Sequence, residues 1–344
     1  MSHSATTVFA RSFLFGAIAC TNSEETIISS ATDAGHDQDG SSPGAGTAPH
    51  STAADTTDTG PKGDSDTADG NTDVTDVTDE PTTTASTFAD LCERPGVLFC
   101  DDFESGWDAS WTEDGGDVRL VPDAAVIGEG QQALELATYE GQQSSKLLRQ
   151  FAGVDEIYIR FDLRYDDNYD NSGGSHGPIL GGSSAPPWGL LGTAGILPSG
   201  SDHFVLNFEP LGPPVGQGGE LAFYAYFANM KPDGAGNYWG NVFYSDQMPA
   251  PVIVRGQWHC AEYGLTLNTP GNNSDGRADF WVDGVHHGAF AGFEWRTVSE
   301  LQLNTFVLDS YNHFNGGAPP QATPNLVRYD NIVISTARIG CLGQ

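Results

Sequence analysis

Two tyrosines set two residues apart, in the run Glu220-Leu-Ala-Phe-Tyr-Ala-Tyr-Phe227, are the groups in this sequence best suited to moving a proton. On an extended strand such positions share a face, so Tyr224 and Tyr226 present both hydroxyls to one side. A phenol whose pKa is lowered by nearby cations can serve as base or acid, and the same rings could instead simply cover a sheet. Arg160 and Arg164 share the polar side of Glu156-Ile-Tyr-Ile-Arg-Phe-Asp-Leu-Arg-Tyr165. Either could meet a carboxylate bidentately, or pair with Asp162 or another internal acid. His176, within Gly173-Gly-Ser-His-Gly-Pro-Ile-Leu-Gly-Gly182, could carry charge or accept a proton near neutrality, or be a loop histidine with no role. Trp188, Tyr238-Trp239 and Tyr244 stand in Gly- or Pro-rich loops, where aromatics either stack on a flat ligand or act as packing lids.

Other chemistries lack their residues. No Glu-x-Asp-x-x-Glu pattern supplies paired carboxylates for glycoside hydrolysis, and no Gly-x-Ser-x-Gly or phosphate loop stands between a strand and a helix. The acids of Asp166-Asp-Asn-Tyr-Asp170 could bind calcium, yet as a flat run they read as a solvated turn. No other cofactor or metal is implied. His286-His287 follows the Asp283-Gly284 turn and is expected to be exposed.

The elements that must hold these groups are strands. From Phe88 onward, short alternating runs are separated by Gly, Pro, Asn and Asp clusters, with almost no helical period. Besides the two runs above they include His203-Phe-Val-Leu-Asn-Phe-Glu209, Trp258 to Leu267, Leu301 to Leu308 and Val327 to Ile334. In the Glu156–Tyr165 run, Ile157, Ile159, Phe161 and Leu163 fall on one face, and Tyr158, Arg160, Asp162 and Arg164 on the other. One apolar and one polar face predict an all-β, antiparallel sandwich, and the many strands with long Gly/Pro connections suggest a jelly roll. Asp275-Gly276 and Asp283-Gly284 are turn dipeptides bracketing a strand whose Ala278, Phe280 and Val282 point to the core.

Composition limits the partners. Fourteen Lys and Arg against 46 Asp and Glu give a formal charge of -32 over 344 residues, which argues against nucleic acid or an anionic membrane surface. Residues 21–87 carry fourteen acids and one base among Thr, Ser, Gly, Asp and Pro, a composition that predicts a disordered, self-repelling tether. Residues 88–344 keep 32 acids against 12 bases, a formal -20, and are expected to form one domain. Ahead of the tether, Arg11, a short apolar run and Cys20 have the order of a signal peptide over residues 1–20. The run is too short to span a bilayer. It resembles a lipoprotein signal with Cys20 as the lipidated residue, although Ala17 sits where leucine is preferred. This implies an exported protein, at the outer membrane or cell surface through a lipid anchor, or secreted. Five cysteines less Cys20 leave Cys92, Cys100, Cys260 and Cys341, which allow three pairings. The preferred one joins Cys92 to Cys100 and Cys260 to Cys341.

The stretch Gly256-Gln-Trp-His through Leu267-Asn-Thr-Pro-Gly271, then Asp275-Gly276 and Phe280-Trp-Val-Asp-Gly284, resembles the concanavalin-A-like jelly-roll enzymes of polysaccharide lyase families 14 and 20. The likeness extends over most of residues 150–335, including Tyr158–Tyr165, Gly173–Gly182, Tyr224-Ala-Tyr226 and Tyr329-Asp-Asn-Ile-Val333. It implies β-elimination on a uronic-acid-containing polysaccharide. Such a reaction needs a group to neutralise the carboxylate, a base for the C5 proton and an acid for the departing C4 oxygen. For such a reaction Tyr224, Tyr226, His176, Arg164 and Asn207 are the catalytic candidates of this sequence, and Arg160, Trp239, Tyr244 and Trp188 its candidates for substrate binding. His176 stands where such lyases show Gly-Gly-Lys, and Asn207 on a strand where an arginine is expected. The other reading is a non-catalytic, lectin-like module that keeps the jelly roll and binds glycan.

Overall fold

The computed structural model describes residues 87–343 except 124–129, 140–143, 172–173, 212–218, 246, 272 and 313–323. The leader, Cys20 and residues 21–86 of the tether expected over 21–87 lie outside the described residues. In chain order the elements are α1 (Phe88–Cys92), β1 (Val97–Asp101), β2 (Trp111–Asp114), β3 (Asp117–Pro122), β4 (Gln132–Thr138), β5 (Ser144–Val154), β6 (Glu156–Tyr165), β7 (Ser175–His176), β8 (Ile179–Ser183), β9 (His203–Pro210), β10 (Leu221–Tyr226), β11 (Asn241–Tyr244), β12 (His259–Thr266), β13 (Gly276–Val282), β14 (Val285–Phe293), β15 (Leu303–Asn312) and β16 (Asn325–Ser335).

The strands form two eight-stranded sheets whose pairings are all antiparallel. The first has the order β14-β13-β12-β6-β16-β4-β3 with β1 beside β16, and the second β11-β10-β9-β8-β15-β5-β2 with β7 beside β15. This is the antiparallel jelly-roll sandwich expected from the alternation. In β6, Ile157, Ile159, Phe161 and Leu163 are buried against the facing sheet. Their layer meets Phe208 of β9 and Phe223 of β10 through Tyr263 and Phe280, with ring centroids 5.1–6.2 Å apart. Truncating one such buried ring costs about 3–5 kcal/mol.

Local chemistry fixes the hairpin β13–β14. Asp283 (φ 49°) and Gly284 (φ 76°) form the two-residue turn between the paired Val282 and Val285, both with the positive φ that matches strand twist. Asp283 accepts the Cys260 N–H at 2.9 Å and the His259 Nδ1–H at 2.8 Å. Asp275-Gly276 is not a second turn of this kind: Gly276 opens β13, and a Cβ there would lie 2.6 Å from the Trp295 ring and 2.7 Å from the Phe293 carbonyl. His286 is exposed but His287 is buried, packed on Phe280, so only half of that pair lies as expected.

The alternation gave no sign of α1, a single turn capped reciprocally by Thr87 and Asp90. Phe88 and Leu91 of α1 cluster with Val333 and Ile339 on the outward side of the first sheet. Disulfides Cys92–Cys100 and Cys260–Cys341 tie this cover down, the pairing preferred from the sequence.

Candidate functional site

The second sheet turns Phe204, Leu206, Phe208, Leu221, Phe223 and Ala225 into the core. By the period of two, Asn207 and Glu209 of β9 and Tyr224 and Tyr226 of β10 face outward. Tyr224 lies directly across from Asn207, whose Nδ2–H donates to the Tyr224 carbonyl at 3.0 Å. The two tyrosine hydroxyls are 3.1 Å apart, and the Gly240 N–H donates to Tyr224 Oη at 2.8 Å. A Cβ at Gly240 would stand 2.5 Å from the Tyr224 ring, so only glycine lets this backbone lie against the phenol.

His176 on β7 pairs with Tyr311 of β15. Its imidazole lies between two phenol rings, 5.6 Å from Tyr224 at an interplanar angle of 27° and 5.1 Å from Tyr311. Its Nδ1–H donates to Glu209 Oε1 at 2.5 Å. Glu209 is fully buried, and its Oε2 has no hydrogen-bond partner among the described residues. Burial pushes the Glu209 carboxyl up, with His176 opposing. At His176 burial opposes the charged form, yet the Glu209 carboxylate, joined by Asp309, outweighs it and raises the imidazole above its usual range.

Asp309 and Lys146 complete the group. They are cross-strand partners on β15 and β5. Lys146 donates to Ser144 Oγ, and Ser144 Oγ–H donates to Asp309 Oδ1 at 3.4 Å. Burial lifts Asp309 to about 7, against the pull of Lys146 and His176. Tyr226 is pushed upward by burial and by its bond to Tyr224, so it holds its proton at neutral pH.

Of the residues singled out from the sequence, His176, Tyr224, Tyr226 and Asn207 therefore meet on one face. Arg164 does not join them. It lies on the outward face of the first sheet, its Nη1 donating to both Asp123 carboxylate oxygens at 2.9 and 3.1 Å, in a row that continues through Arg328, Glu135 and Arg119. Arg160 is fully buried on the same sheet, bound to Asp162 at 2.7 Å and to the Asn331 carbonyl at 2.8 Å. Neither can reach a ligand on the other sheet. They were misassigned because alternation separates inside from outside but not one sheet from its partner.

Tyr244, on β11, lies across from Ala222, and Trp239 precedes Gly240; both side chains are about half exposed. Trp188 opens a short 3-10 turn, and its side chain lies outside the described residues. Among the described residues no three His, Cys, Asp or Glu side chains gather to hold a metal ion, and Asp166–Asp170 is a chain turn whose Asp166 N–H donates to the Leu326 carbonyl and whose Asp170 N–H donates to the Asn325 side-chain oxygen.

Sequence reasoning missed Glu209, Asp309, Lys146 and Tyr311. A signal existed for the first: Glu209 closes a strand already recognised and shares its face with Asn207. Asp309 and Tyr311 lie just beyond the end assigned to their strand, at Leu308.

No protein-family model matches the chain, and no curated protein matches its sequence. Among solved structures it is similar to an alginate lyase from Chlorella virus, at 16% identity over 70% of this chain and 99% of that one, TM-score 0.49. It is also similar to an endo-beta-1,4-glucuronan lyase from the fungus Trichoderma reesei, at 17% over 70% and 96%, TM-score 0.47. A third is a marine alginate lyase from Aplysia kurodai, at 14% over 74% and 98%, TM-score 0.45. At such identities the likeness concerns fold and nothing finer.

Proposed function

We propose that this protein is a polysaccharide lyase that cleaves a uronic-acid-containing chain by β-elimination on the outward face of the second sheet. The observation that carries this reading is the imidazole of His176, held by Glu209 and stacked on the hydrogen-bonded Tyr224–Tyr226 pair. Its raised pKa suits His176 to act as a cation rather than as a base. With Lys146 nearby, it neutralises the substrate carboxylate and so acidifies the C5 proton.

Tyr224 Oη, which accepts from the Gly240 N–H and lies 3.1 Å from the Tyr226 hydroxyl, is the base of this reading, acting in its phenolate form. The phenolate takes the C5 proton, the electron pair forms the C4–C5 double bond, and the C4–O bond breaks. Tyr226, which retains its proton, gives it to the leaving oxygen. The 3.1 Å contact between the hydroxyls then returns a proton from Tyr224 to Tyr226, restoring the starting state. Asn207, cross-strand from Tyr224, is a hydrogen-bonding group for the same carboxylate.

The two disulfides support export to an oxidising compartment; with the leader and Cys20, they support a surface-anchored or secreted enzyme. Incubating the full chain with glucuronate and alginate polymers tests the proposal through the ultraviolet absorbance of the unsaturated product. Retention on glycan without any such product would establish the non-catalytic module instead.

A further inference from the structure

The positive charge available to a ligand at this site is small and local. The eight strands of the second sheet contain only two Lys or Arg residues, Lys146 and Arg149. Arg149 is not available, since its guanidinium lies 3.5 Å from the centroid of the Phe99 ring and near Asp108. On the first sheet Arg119, Arg160, Arg164 and Arg328 are held by Glu135, Asp162 and Asp123, Arg338 just past β16 lies against Glu262, and Arg277 is exposed on the outward face of β13, on the opposite side of the sandwich. On these strands the cation set of the site is thus Lys146 and His176; His203, at the start of β9, faces Asp202.

One side of the site has the opposite character. Val242 lies across from Tyr224, and Tyr244 across from Ala222. They share the outward face of the tyrosine pair on the neighbouring strand, about 4.8 Å away. Val242 is 41% exposed and Tyr244 48%. Trp239, 48% exposed, precedes the Gly240 that binds Tyr224 Oη, and its ring lies over Gly195. A glycosyl unit bound one strand beyond Tyr224 would therefore meet aromatic and apolar surface.

We infer that the substrate is a heteropolysaccharide in which a single uronate, seated at His176 and Lys146, is flanked by neutral glycosyl units that stack on Tyr244 and Trp239. This rests on the lyase reading above. In a homopolymer of uronates, the unit next to the reacting one would bring a second carboxylate over Tyr244 and Val242. These strands offer it no lysine or arginine there, Lys231 being a loop residue whose backbone is bound by the Asn241 side chain at the start of β11, in a domain of formal charge -20. A neutral sugar lays its apolar C–H face on the ring without that cost.

The test uses the full chain and three polymers: a glucuronate homopolymer, alginate, and a polysaccharide in which single glucuronates alternate with neutral hexoses. We expect kcat/KM on the mixed polymer to exceed that on both homopolymers by about tenfold or more, one strong stacking contact being worth roughly that factor. Tyr244→Ala and Trp239→Ala should raise KM on the mixed polymer severalfold with kcat nearly unchanged. Equal or faster cleavage of a homopolymer, or an unchanged KM in both variants, overturns the inference. Affinity electrophoresis of Tyr224→Phe on the same polymers separates this from the lyase reading. If nothing is cleaved, the catalytic proposal falls alone; retention by the mixed polymer that is lost on adding Tyr244→Ala still supports the inference. Equal or stronger retention by a homopolymer, or none by any polymer, overturns it.

Discussion

The two outward faces of this sandwich use charge in opposite ways. On the first sheet, guanidinium and carboxylate groups alternate in a row, Arg119, Glu135, Arg328, Asp123 and Arg164, each acid bound by two arginines. Arg160 and Asp162 repeat the pattern in full burial. On the second sheet the balance is incomplete. Glu209 keeps a buried oxygen without a partner among the described residues, Asp309 is lifted to about 7, and the pKa of the imidazole beside them is raised by their carboxylates against the effect of burial. A fully matched row has nothing left to offer a ligand. Groups held away from their ordinary protonation are those that can exchange protons with one.

The contrast breaks most visibly in rates. Tyr224→Phe and His176→Ala should each lower lyase activity about 10²- to 10⁴-fold, the usual worth of a positioned acid–base group, while Arg164→Ala stays within about twofold. The measurement is initial rate of unsaturated uronate formation, per folded molecule. A collapse in Arg164→Ala would move the chemistry to the first sheet. In Glu209→Gln, His176 loses the carboxylate that raises its pKa against the effect of burial. Activity that depends on the imidazolium is present below the folded pKa and lost above it, so the alkaline limb of kcat/KM should move to lower pH.

Stability gives the converse. Removing Arg160 leaves Asp162 uncompensated in full burial, so Arg160→Ala should cost about 3–5 kcal/mol, read as a lower denaturant midpoint. The activity of the folded fraction should not change. Arg296, which ties Asp155 to the backbone of Asn268 and Leu301, is another arginine whose work is structural.

Much of this division was legible in the sequence, and the illegible part has a definite cause. The period of two in Glu156–Tyr165 correctly put Ile157 to Leu163 inside, and Tyr224 with Tyr226 outside. The Asp283-Gly284 turn followed from residues that tolerate positive φ. What a single strand cannot reveal is which sheet it joins. Arg164 and Tyr224 are equally outward in pattern yet lie on opposite sides of the molecule. Glu209, Asp309, Lys146 and His176 come from four strands brought together by long-range pairing, and no local spacing connects them.

A smaller effect sharpens the comparison through pH. Asp309 binds its proton more tightly in the folded protein than in the unfolded chain, so folding takes up a proton between about pH 4 and 7. Its stabilising share is complete below the unfolded pKa and disappears as pH rises through about 7. Asp309→Asn, which cannot ionise, should gain roughly 2–4 kcal/mol at pH 8 relative to pH 4, compared with the parent. Asp330, buried on the first sheet and lifted to about 8, contributes a slope of the same sign. The variant's stability should therefore still fall with pH, but less steeply. Identical slopes in urea titrations of the two proteins would show that Asp309 ionises normally.

The smallest expected effect lies at the turn that marks the first sheet's edge. Asp283→Ala removes the acceptor for the Cys260 N–H and for His259, and places a residue without a local hydrogen bond at φ 49°. Together these should cost about 1–2 kcal/mol. Asp283→Gly should recover the conformational part but not the hydrogen bonds, falling between the two proteins in thermal midpoint. Because this hairpin packs beside β12 on the sheet opposite the tyrosines, neither variant should change KM or the pH profile. A shift in either would mean that the two sheets are coupled through the core, and that the matched face helps to set the geometry of the reactive one.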